Sequence, residues 1–129
     1  MTRTKIAAVA VWVVSGLLTM AFVLAGMPKV LQAPVWVDKF DAWGYSKWFL
    51  MVIGVVEITG AVLLLIPRLA VLGVGVLAAV MLGAGYTHLA NAEGLEVARP
   101  LIFLGLLAIV GWARRPRNGQ SGHGHPRNS

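Results

Sequence analysis

Residues 48–88 read WFLMVIGVVEITGAVLLLIPRLAVLGVGVLAAVMLGAGYTH, two apolar runs joined by Pro67-Arg68. The first run, Trp48 to Ile66, would be about 28 Å long as a helix, close to the ~30 Å hydrocarbon core of a bilayer. The second runs from Leu69 to about Thr87 and ends at His88. The Pro-Arg pair leaves room only for a tight turn, so the two runs form an antiparallel helical hairpin. Glu57 stands nine residues from each end of the first run, near mid-membrane. A charge at that depth costs about 2.5–3.5 kcal/mol on insertion scales, so it faces a bundle interior and marks a candidate site.

Two further runs flank this hairpin. Ile6 to Met27 carries only Ser15 and Thr19 as polar residues, and it exceeds the apolar stretch of a signal peptide. Ala25-Gly26-Met27 imitates a cleavage site, but Pro28-Lys29 reads equally as a helix end. Pro100 to Ala113 spans only about 21 Å as a helix. Its helix is therefore expected to begin earlier, near Leu95, taking Glu96 and Arg99 into the membrane. The expected domain is residues 1–113, with helices at about 6–27, 48–66, 69–88 and 96–113 and an outer amphipathic loop at 28–47. Residues 114–129, rich in Arg, Gly and Pro, read as a disordered basic cytoplasmic tail that touches lipid headgroups.

Composition agrees with lipid as the solvent. Of 129 residues, 58% are hydrophobic and 12% charged, against roughly 45–50% and 25% in a soluble domain. The net charge of +6 comes from bases flanking apolar runs, not from an aromatic-interleaved patch, so nucleic acid is not an expected partner. One side holds Arg3, Lys5, Arg68, Arg114, Arg115, Arg117 and Arg127 without an acid. The other holds Lys29, Lys39, Lys47 and Arg99 beside Asp38, Asp41, Glu93 and Glu96. The positive-inside rule then puts both termini in the cytoplasm. The expectation is an all-α integral membrane protein, a four-helix transmembrane bundle multi-pass in the cell membrane. With no cysteine, the chain has no disulfide, thiol redox centre or cysteine-bound iron–sulfur cluster. His123 and His125 in the tail make no dedicated metal site.

The candidate pocket gathers around Glu57. Gly54, Gly60 and Ala61 share its helix face and allow a close helix or a ligand. Ser15, Thr19, Phe22, Gly26 and Lys29 form one stripe on the first helix. On the third, Met81, Ala84, Gly85 and His88 share a side, while Gly75, Ala79 and Gly83 form a small-residue ridge for close packing. Counting depth from the cytoplasmic ends puts Arg99 about 6 Å above Glu57 and His88 about 15 Å above it. Arg99 is the favoured counter-ion, with His88 or a hydroxyl as alternatives, and His88 and Lys29 ring the outer mouth. In the outer loop, Trp36, Phe40 and Trp43 recur at helical spacing near Tyr45 and Trp48. They read as an interfacial helix, a lid, or both.

The segments Phe22-Val-Leu-Ala-Gly-Met-Pro-Lys29, Trp43-Gly-Tyr45, Ile53 to Arg68 and Gly83-Ala-Gly-Tyr-Thr-His88 carry a family likeness. The chain resembles the DoxX-like small membrane proteins from about Val14 to Trp112. The resemblance implies four transmembrane helices and a link to membrane oxidoreductase systems, since the family name comes from a thiosulfate:quinone oxidoreductase subunit. Three functions follow as expectations. The first is a subunit binding a quinone or other lipophilic molecule. The second is a self-sufficient isomerase, cyclase or epoxide-opening enzyme with Glu57 as acid/base. The third is a permeation or assembly factor. Glu57, His88 and Arg99 are the candidate catalytic residues. Lys29, Thr19, Phe22, Trp43, Tyr45, Gly54, Gly60 and Tyr86 are the candidate ligand-binding residues. Membrane lipids, an oxidoreductase subunit or further copies of the chain are the expected partners.

Overall fold

In the computed structural model, which describes residues 2–115, the chain is all-helical. Five α-helices follow in order: α1 Arg3–Val30, α2 Pro34–Trp43, α3 Lys47–Leu63, α4 Ala70–Ala90 and α5 Ala98–Arg114, with a 3-10 turn at Gly94–Val97 before α5. The tail expectation beyond Arg115, with His123 and His125, lies outside the described residues.

Local chemistry sets the ends of these elements. Thr2 caps α1 by accepting the Lys5 N–H at 3.2 Å. Ser46 caps α3 through the Phe49 N–H at 3.1 Å. Pro34 opens α2, where a missing N–H costs nothing, and Gly44 closes it at φ 88°, which glycine adopts without strain. The expected end of the first helix at Met27 is corrected. Helix α1 runs through Pro28 to Val30, because a proline in the last turn removes one N–H while the carbonyls of Pro28 and Met27 still accept from Ala33 and Leu31. The second helix stops at Leu63 and not at Ile66, with hydrogen-bonded turns from Leu64 to Leu69 making the connection. The last helix starts at Ala98, which leaves Pro100 in the first turn where proline is tolerated.

Helix α3 lies between α1 and α4, α5 packs on α4, and α1 meets α5 only lightly. Leu18 and Phe22 of α1, Ala61 of α3, Leu77 and Met81 of α4, and Leu107 and Val110 of α5 meet in a common core with Leu64. Large apolar side chains also point outward on all four long helices, among them Leu17, Val62, Leu82 and Ile109. That outer surface suits hydrocarbon, and a helix pairs most of its backbone groups within itself, as a bilayer requires. Helices α1 and α4, and the 3-10 turn with α5, are each long and apolar enough to cross a membrane. Helix α3 has 17 residues and reaches that length only together with α2, against which it bends by 116°.

Two glycine contacts fix the closest approaches. A Cβ on Gly54 would sit 2.8 Å from the Gly26 carbonyl oxygen, so α1 and α3 touch backbone to backbone there. A Cβ on Gly73 would sit 2.8 Å from the Gly60 carbonyl oxygen, which brings α4 against α3 in the same way. The Gly75–Gly83 ridge expected to pack closely does not. Nothing lies within 4 Å of a Cβ at either glycine. Gly73 and Leu77 make the contact with α3 instead, while Ala79 and Gly83 line a cavity.

Candidate functional site

The Gly26–Gly54 crossing decides the site. It brings the first carbons of the Lys29 side chain against Gly54, where a Cβ would be 2.9 Å from Lys29 Cβ. From there the flexible Lys29 stem reaches one turn along α3, and Nζ donates to Glu57 Oε1 at 2.5 Å. Side-chain exposure is 9% for Lys29 and 1% for Glu57, so the pair is buried. The expected partnership of Glu57 with Arg99 is thereby corrected. Arg99 stays at the surface and faces Glu96 at 3.6 Å, one turn away on its own segment. The level-helix depth count failed because it placed Lys29 by its Cα and ignored a side chain that extends along the neighbouring helix.

The Lys29–Glu57 pair forms one wall of a cavity of about 600 Å³. Phe22 and Phe103, with ring centroids 5.2 Å apart, line it from α1 and α5. Val80 and Met81 of α4 and Ile53 and Val56 of α3 complete an apolar body. Helix α2 and the start of α3 cover it with aromatic rings. Phe40 is buried at the centre of Trp36, Trp43, Tyr45 and Phe49, all with centroids 5.4 to 6.3 Å from its own. Trp36 also lies over the ion pair, 4.5 Å from Lys29 Nζ, a cation–π contact.

Polar contacts hold this cover to α4. Trp43 Nε1 donates to Glu93 Oε2 at 3.3 Å, and His88 Nδ1 lies 2.8 Å from Glu93 Oε1. The His88 and Trp43 rings meet edge to face at 5.4 Å. The hydrogen bond from His88, then that from Trp43, holds the Glu93 carboxyl below the usual carboxylate range. Thr87 donates to the Gly83 carbonyl at 2.9 Å, so the Tyr45 hydroxyl, 2.8 Å away, donates to Thr87.

Of the sequence candidates, Glu57, Lys29, Phe22, Trp43, Tyr45, Tyr86, His88 and Arg99 line the cavity. Thr19, Gly54 and Gly60 do not. Thr19 donates to the Ala61 carbonyl at 2.9 Å and ties α1 to α3, and the two glycines serve helix packing. His88 makes its polar contact with Glu93 at the cover, not with Glu57. Glu93 and Thr87 were missed as site residues. Glu93, five residues after His88, carried a weak signal, because a turn in the chain returns its carboxyl to that ring.

The model of the DoxX-like family matches residues 13–110, a span that contains α3, α4 and all of the cavity lining. The chain belongs to the DoxX-like family. A curated relative is the uncharacterized protein YdgD of Bacillus subtilis (strain 168), 38% identical over 77 residues, which are 56% of this chain and 68% of the relative. No solved structure matches the chain. With three or four apolar helices of spanning length among the described residues, this DoxX-like chain is a membrane protein. Among the described residues no cluster of three or more His, Cys, Asp or Glu side chains is placed to hold a metal ion.

Proposed function

We propose that this DoxX-like protein binds a lipophilic small molecule, a quinone as first candidate, in the cavity between its four long helices. The observation that carries the reading is the buried Lys29–Glu57 pair in the wall of a largely apolar and aromatic cavity of about 600 Å³. A volume of that order suits a ring with the start of a tail, and such sites pair an apolar body with a few placed polar groups. Two buried charges within a membrane bundle are costly, and such residues mark functional sites.

In this reading α1, α3, α4 and α5 all span, both termini are cytoplasmic, and α2 lies at the outer interface as a cover. Supporting this orientation, Arg114 packs 4.2 Å over Trp12 and Arg115 4.2 Å over Trp112 at the end shared by the termini, an interfacial arrangement. With Lys29 withdrawn into the bundle, the opposite end has fewer free bases still. The chain has no cysteine, so a thiol or cysteine-bound iron–sulfur centre would be the contribution of a partner oxidoreductase subunit.

Native mass spectrometry of the protein extracted from its membrane tests the reading. The wild-type chain should carry a lipophilic adduct, and Ala84→Phe, which fills the cavity from α4, should lose it while staying folded. Equal retention of the adduct by the filled variant would refute binding in this cavity.

A further inference from the structure

The hydrogen-bond valences of the ion pair narrow the kind of head group the cavity accepts. Glu57 Oε1 receives Lys29 Nζ at 2.5 Å, whereas Oε2 has no hydrogen-bond partner among the described residues. Nor is Oε2 sealed off. Among the described residues, only Arg114 Nε is both fully enclosed and without a partner. A carboxylate oxygen of a residue 1% exposed is thus left as a free acceptor on the cavity wall. Lys29 spends one N–H on Glu57 and turns towards the face of Trp36 at 4.5 Å, which leaves a further N–H for a ligand.

The pair is also electrically balanced. A ligand carrying its own charge would leave one uncompensated charge in a wall lined by Phe22, Phe103, Met81 and Ile53, where the local dielectric is low. An anionic head would in addition meet Glu57 Oε2 directly. A neutral head bearing only carbonyl oxygens avoids that penalty but leaves Oε2 unpaired, and an unpaired buried acceptor is the expensive case. A neutral hydroxyl solves both problems. It donates to Glu57 Oε2 and accepts from Lys29 Nζ. The rings of Trp36, Phe40 and Trp43 above the site favour a planar ring carrying that hydroxyl.

From this we infer that the cavity selects an un-ionised ring hydroxyl, a quinol or phenol, over the corresponding quinone and over fatty acids and amines, with Glu57 Oε2 as the acceptor that discriminates. The inference rests on the lipophilic-ligand reading and adds which form of the ligand is held.

The test is calorimetric titration of the full chain in lipid nanodiscs, corrected against empty nanodiscs, under anaerobic conditions. The probes are a decyl-benzoquinol, the matching decyl-benzoquinone, dodecanoate and dodecylamine. The quinol should bind about tenfold tighter than the quinone, the ratio expected for one unpaired buried acceptor, and neither charged amphiphile should displace it. In the charge-free double variant Lys29→Met/Glu57→Leu, the quinol-to-quinone ratio should fall to near one. A wild-type ratio at or below one, or displacement of the quinol by dodecanoate, would overturn the inference while leaving the binding reading standing. No binding of any probe above the empty nanodiscs would overturn both.

Discussion

Removing one partner of the Lys29–Glu57 pair sets the other the task of becoming neutral, and the cost of doing so has a ceiling. In Lys29→Met, Glu57 keeps its 1% exposure and escapes its buried charge by taking up a proton. From an ordinary Glu value near 4.3, protonation at pH 7 costs about 3.7 kcal/mol. In Glu57→Leu, Lys29 is the buried group left without its partner. Breaking a buried pair costs ~3–5 kcal/mol, and the Lys29→Met figure falls in that range. The Glu57→Leu variant should lose less. Lys29 is the penultimate residue of α1, and its stem can swing the ammonium toward the outer interface, whereas Glu57 sits mid-helix with no such route. The double variant Lys29→Met/Glu57→Leu carries neither charge and should lie within about 1–2 kcal/mol of wild type, as apolar replacements of buried pairs do. Reversible unfolding in mixed detergent micelles measures all four forms. At pH 5 the Lys29→Met deficit should shrink to about 1 kcal/mol, because protonating Glu57 is then cheap. A double variant as unstable as the sum of the singles, or a Lys29→Met deficit that does not change with pH, would refute the reasoning.

Two further outcomes follow from the geometry. Gly54→Ala forces a methyl to 2.8 Å from the Gly26 carbonyl oxygen and should cost roughly 1–3 kcal/mol, while Gly75→Ala and Gly83→Ala, with nothing within 4 Å, should be neutral or stabilising by up to about 1 kcal/mol; the same unfolding assay compares them. The cover of α2 should loosen in acid: the Glu93 carboxyl is held low by His88 and Trp43, so its contribution is present above the ordinary carboxylate range and is lost as pH falls below that range, read as a change in tryptophan emission that Trp43→Phe and Glu93→Gln both abolish.

Much of the site was legible because lipid makes polar residues conspicuous. Glu57 announces itself as the lone acid between Trp48 and Ile66, and the Ser15, Phe22, Gly26 and Lys29 stripe is the buried face of α1. The aromatic spacing of Trp36, Phe40 and Trp43 anticipates a helix, and α2 is one. The partner of Glu57 was not legible. Depth along a helix axis ranks Cα positions, but a lysine side chain is several ångströms long and its direction depends on where two helices cross. The small-residue ridge on α4 misled for a related reason. Spacing identifies faces able to pack closely, yet Gly73 and not Gly75 or Gly83 meets α3, and only the rotation of the helix chooses between them.

By itself, then, the sequence determined that this chain is helical, apolar and built for a membrane, with one acidic side chain buried among its helices. Those properties follow from periodicity and hydropathy, which are local. The tertiary structure decided that Gly26 and Gly54 meet, that Lys29 therefore reaches Glu57, and that Trp43, His88 and Glu93 close the cover above them. These are long-range pairings, set by how helices cross and rotate against one another, and spacing within a single helix does not encode them.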